Sequence, residues 1–200
     1  AAGIAVLSPD GGRSLKPLLQ RDAVAHTTLA NLLDHQGEGA AGIAVLSPDG
    51  GRSLKPLLQR DAVAHTTLAN LLDHQGEGAA GIAVLSPDGG RSLKPLLQMN
   101  AVAHNTLAQL LLRRRQFLRA IAVGEAARAQ FPQDGITQYL LAKAYRFAGR
   151  PDDAKRLEET KPQLPKAVLA ELEALFLAIE DDPRLHLGGA ADERETVREL

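Results

Sequence analysis

One stretch of 39 residues is written almost three times in succession. Ala1–Gly39 (AAGIAVLSPDGGRSLKPLLQRDAVAHTTLANLLDHQGEG) recurs letter for letter as Ala40–Gly78, and a third copy is identical from Ala79 through Gln98. That copy then drifts: RDAVAHTTLANLLDHQGEG becomes MNAVAHNTLAQLLLRRRQF at Met99–Phe117, keeping the skeleton AVAH-x-TLA-x-LL. A chain of equal adjacent units folds as a stack of equal supersecondary pieces, each burying its apolar face on its neighbours. The period suits stacked helical hairpins, and it is also near the blade length of a β-propeller. IAVLSPDGG alone would suit a strand and a turn, because Pro-Asp-Gly is turn chemistry. DAVAHTTLANLLDHQ decides for helices. Val24, Leu29, Ala30, Leu32 and Leu33 recur near the helical period, Asp22 suits an N-cap, and Gly37 stands where a left-handed C-cap belongs. Four strands do not fit beside such a helix in one unit.

The drifted half carries a more specific pattern. From Ala101 to Asp134, Leu107 and Ala108 form a large-then-small pair and Leu111 follows at the next inward place. Phe117 opens a second helix with small residues at Ala120 and Ala127, and Pro132 closes the unit. From Gly135, Leu141, Ala142, Tyr145, Gly149 and Ala154 fall at the corresponding places, and Pro151 suits the first turn of a helix. This pattern resembles the tetratricopeptide repeat, whose helix–turn–helix units of about 34 residues stack. Arg115 departs from it by standing where the family prefers glycine. The perfect copies fit the same frame through Leu29, Ala30, Leu33, Gly37 and Gly42. Pro48 and Gly50-Gly51 then cut the second helix short, and the inserted RSLKPLLQ makes each unit five residues longer. That insertion either forms a short extra helix, with Ser53 as cap, or extends the next helix backwards.

The fold class expected is therefore all-α, a right-handed solenoid of about five helical hairpins. Its divisions are residues 1–98 (39-residue repeats), 99–160 (tetratricopeptide-like repeats), 161–179 (a capping helix) and 180–200 (a polar tail, with a short final helix over 192–200). All six aromatic residues lie after residue 98 and thirteen of the eighteen glycines lie before it, so the repeats are expected to have the thinner, less stable core.

Several function classes lose their footing. There is no cysteine, hence no disulfide, thiolate zinc site or cysteine nucleophile. Net charge is −1, which gives no global field for nucleic acid or an anionic membrane. No apolar run is long enough to span a bilayer. The chain opens at Ala1 with no signal-peptide pattern, as a fragment or processed product would. His26, His65 and His104 recur with the repeat, and His35 and His74 close their helices. A metal or pH-sensing ladder is one reading. Duplication of one packing histidine is the other, and it is favoured because the two histidines of a copy, nine residues apart, do not share a helix face. No G-x-S-x-G elbow, P-loop or paired carboxylates appear, so neither an enzyme nor a cofactor is expected.

Charge is unevenly placed. Met99–Pro151 holds eight basic and two acidic residues, whereas Asp152–Leu200 holds seven basic and thirteen acidic. Two solvated faces of opposite sign would explain this, and so would a basic groove for an acidic segment. The tetratricopeptide resemblance implies that ligands lie on the concave surface of the first helices. It thereby nominates Asn31, Asn70, Asn105, Gln109, Arg113, Tyr139, Lys143 and Arg146 as peptide-binding residues, with Thr27, Thr66, Asp34 and Asp73 beside them. The function expected is a scaffold or adaptor that binds another protein or an acidic peptide, without nucleic acid or membrane. The alternative is the non-catalytic arm of a larger enzyme. A spacer of variable copy number is a third possibility.

Overall fold

The computed structural model describes residues 22–52, 54–91, 93–160 and 164–181. Among these, all regular structure is helical, as the hairpin reading requires. The first repeat's residues 1–21, the Ser53 cap and the expected helix over 192–200 lie outside the described residues. The chain divides into two compact units, Ala1–Leu110 and Leu111–Leu200.

The first unit contains α1 (Ala23–His35), α2 (Gly39–Leu46), α3 (Ala62–His74), α4 (Gly78–Leu85) and the start of α5 (Ala101–Arg113). Each long helix begins on a side-chain cap. Asp22 Oδ1 accepts from the Val24 and Ala25 amides at 2.8 and 3.4 Å, and Asp61 Oδ1 does the same for Val63 and Ala64 at 2.8 and 3.0 Å. These contacts satisfy donors that have no partner within the helix. After α1 and α3 the chain turns through Gly37 and Gly76 at φ +80° and +82°. Arg115, the next residue in that series, takes φ +60° and is the one described non-glycine residue with positive φ. Glycine adopts this conformation freely, whereas arginine adopts it at a cost of about 1 kcal/mol.

IAVL is helical, not extended. GAAGIAVL forms eight-residue helices, α2 and α4, that are apolar on every side and too short to persist alone in water. They are held by burial: Ile43, Leu46, Ile82 and Leu85 are all buried. α2 packs on α1 and α4 on α3, while α3 also packs against α2 and α1. SPDGG then stops each short helix. Ser47 Oγ donates to Asp49 Oδ1 at 2.7 Å and accepts from the Gly51 amide at 2.8 Å, and Ser86 repeats this with Asp88 and Gly90. The insertion resolves into a separate single turn of 3₁₀ helix, Pro56–Leu58 and Pro95–Leu97. It cannot extend the following helix backwards, because Asp61 caps that helix afresh.

The second unit contains the end of α5 with α6 (Phe117–Gln130), α7 (Gly135–Phe147), α8 (Pro151–Glu158) and α9 (Lys166–Glu180). α7 packs on α6 and on α8. Pro151 opens α8, as its fixed φ allows. Aromatic rings fill this unit. Phe117 stacks on Phe147 with centroids 5.3 Å apart, and Phe147 and Tyr139 meet Phe176 of α9 at 5.9 and 5.8 Å. Tyr145 is buried, and its hydroxyl donates to Glu125 Oε1 at 2.6 Å, tying α7 to α6. Burial and that carboxylate push the Tyr145 phenol up to about 12.

Candidate functional site

The nominated residues divide by unit. In the first unit, Asn31 and Asn70 occupy the same place on α1 and α3, two helices in contact, and both are exposed. Together they put two amide side chains, one repeat apart, in solvent. Thr27 and Thr66, one turn earlier on those helices, do not join them. Each is buried and turns its hydroxyl back onto its own helix, Thr27 to the Ala23 and Val24 carbonyls and Thr66 to those of Ala62 and Val63. A threonine in a helix readily bonds in this way. Asn105 is also buried, at 7% exposure, and Gln109 is half-buried. Asp34 is bridged to the next repeat, its Oδ2 lying 2.8 Å from His74 Nδ1.

In the second unit, Arg113 lines a cavity of about 580 Å³ together with Arg115, Glu171 and the small residues Ala174 and Ala178 of α9. Tyr139, Lys143 and Arg146 already have partners within the chain. The Lys143 ammonium sits 5.1 Å from the Phe176 ring centroid and 5.7 Å from that of Tyr139. Arg146 pairs bidentately with Glu158, Nε to Oε1 at 2.7 Å and Nη2 to Oε2 at 2.6 Å. This pairing raises the guanidinium pKa and lowers that of the Glu158 carboxyl. Both groups are well exposed, so the bridge adds little to stability. It does occupy the charge that the sequence offered to an acidic ligand.

The histidine ladder is a backbone device. His26, His65 and His104 each place Nδ1 at 2.8–3.0 Å from the carbonyl four residues earlier, those of Asp22, Asp61 and Asn100. A carbonyl only accepts, so Nδ1 carries the proton in each. Among the described residues no group of three or more histidine and carboxylate side chains could hold a metal, and no helix is long and apolar enough to cross a membrane.

No family model matches the chain, and searches of curated proteins and of solved structures also return no match. Functional inference therefore rests on the residues themselves.

One feature of the first unit has no counterpart among the nominated residues. Arg52, Gln59, His65 and Lys94 line a cavity of about 280 Å³ walled by leucine and valine side chains, including Leu68 and Val84. Three of its residues can carry positive charge, and among the described residues no carboxylate lines it. The signal lay in the insertion, since RSLKPLLQ supplies Arg52 and Gln59 from one copy and Lys94 from the next. Sequence alone did not bring two insertions to one histidine.

Proposed function

We propose that the chain is a tetratricopeptide-type solenoid that serves as a protein–protein interaction scaffold, binding an extended peptide across the first helices of successive hairpins. The observation that carries this reading is the pair Asn31 and Asn70, exposed at equivalent positions of two helices that pack side by side. Amide side chains at a fixed spacing suit a peptide backbone, because each offers both a donor and an acceptor. The hairpins and the small residues where helices meet support the same reading. Affinity would come from many modest contacts on a preformed surface, with little ordering cost to the scaffold.

A displayed random-peptide library selected on the full chain tests it. The expected result is enrichment of binders whose affinity falls about tenfold or more in Asn31→Ala/Asn70→Ala, the effect of losing two polar contacts. Selection that enriches no sequence, or binders indifferent to both substitutions, would refute this function.

A further inference from the structure

We propose that the cavity lined by Arg52, His65 and Lys94 is a binding site for a small phosphate monoester, separate from the peptide surface. The site is built at the junction of two repeats. Helix α3 contributes His65 and Leu68, α4 contributes Val84, and the two insertions contribute Arg52, Gln59 and Lys94. Lys94 is fixed by its own backbone, whose amide donates to the Leu85 carbonyl at 2.9 Å just after α4 ends.

Charge argues for an anion. Neither Lys94 nor Arg52 forms an ion pair among the described residues. A partly buried ammonium without a counter-charge is unfavourable in an empty site and is stabilised by an anion. The half-buried Lys94 ammonium and the exposed Arg52 guanidinium at the cavity's edge together match the charge of a phosphate monoester, about −1.5 to −2 at neutral pH. The apolar walls argue for an organic ester over the bare ion, since inorganic phosphate would leave Leu68 and Val84 uncovered. His65 adds a third contact. Its Nδ1–H is committed to the Asp61 carbonyl at 2.8 Å, so Nε2 is its remaining polar atom. A bound dianion favours the imidazolium, whose Nε2–H then donates to a phosphate oxygen.

The shifts of the free protein agree with this geometry. Burial pushes the Lys94 ammonium below its ordinary range, with no opposing carboxylate. Burial also lowers the His65 imidazole, the Asp61 carbonyl opposing that shift and the Lys94 charge adding to it. The duplication supplies the same residue types one repeat earlier at His26, Val45 and Lys55, and Lys55 is again half-buried. The 34-residue units after Phe117 lack the insertion and with it the lysine.

Isothermal titration of the full chain with phenyl phosphate, inorganic phosphate and phenol tests the site. Phenyl phosphate is expected to bind saturably and more tightly than either of the others. Lys55→Gln/Lys94→Gln is expected to weaken it about tenfold or more, and Arg52→Gln to weaken it less, whereas exposed Lys155→Gln leaves it unchanged. Both cavity variants should melt no lower than the parent chain, because neither removes a cation that is ion-paired among the described residues. The proposal is overturned if phenyl phosphate shows no saturable binding, if it binds no better than inorganic phosphate, or if folded Lys55→Gln/Lys94→Gln binds as the parent does.

Discussion

Phe176→Ala is expected to lower the stability of the second unit by about 3–5 kcal/mol, the usual cost of deleting a buried phenyl ring. Phe176 is 2% exposed, and its ring is met by Tyr139 edge-on, by Phe147 at a tilt and by the Lys143 ammonium on its face. No other aromatic residue lies on α9, so the substitution removes the anchor of a 15-residue helix that would be marginal alone in water. The loss is comparable with a large part of a small domain's total stability. Urea unfolding should show the drop, and amide exchange over residues 166–180 should accelerate while exchange in α1 to α4 stays unchanged. The neighbouring Leu177→Ala, at a residue 58% exposed, is expected to change stability by no more than about 0.5 kcal/mol. Equal effects for the two variants, or undiminished protection of α9, would contradict the aromatic anchor.

Gly81→Ala is the second large effect. A Cβ at Gly81 would lie 2.7 Å from the backbone carbonyl oxygen of Ala69, and one at Gly42 would lie 2.8 Å from that of Ala30. The obstacle is main chain on the facing helix, so no rotamer change relieves it and the two helices must separate. Overpacking of this kind costs about 1–3 kcal/mol, against at most about 1 kcal/mol gained in helix propensity. The double variant Gly42→Ala/Gly81→Ala should be visibly less stable than either single one, since each strains a different hairpin. Gly124→Ala provides the contrast: its new Cβ would meet only the Leu141 side chain, Cδ1 at 3.0 Å and Cβ at 3.3 Å, and no facing main chain, so the change should cost less than Gly81→Ala. If Gly81→Ala raises the melting temperature, the close approach of α3 and α4 does not hold the hairpin together.

This contrast shows why part of the fold could be read early. Gly42 and Gly81 align with Ala120, and the two glycines are small because a partner helix passes close by. Helix limits were legible for a similar local reason. Asp22 and Asp61 cap, Gly37 and Gly76 turn left-handed, and Pro48 with its glycines ends the short helix. The pair Asn31 and Asn70 came from the tetratricopeptide resemblance, and both are exposed. The rest depended on neighbours distant in sequence. The same resemblance placed Thr27 and Thr66 beside that pair, but it could not show their hydroxyls bonding to their own helices. It offered Lys143 and Arg146 to a ligand, whereas Phe176 and Glu158 already hold them.

The repeat alone determined that the regular structure of the described residues is helical, where α1 to α4 start and stop, and which small residues face a partner. These are set by backbone propensity, capping and the period of the apolar residues, all within one turn or one unit. Only the tertiary structure decided that the insertion forms an isolated 3₁₀ turn at Pro56–Leu58 and Pro95–Leu97, and that two insertions bring Arg52 and Lys94 to the same histidine. That outcome depends on how one unit packs on the next, a contact between residues some forty positions apart whose energy has no trace in local spacing.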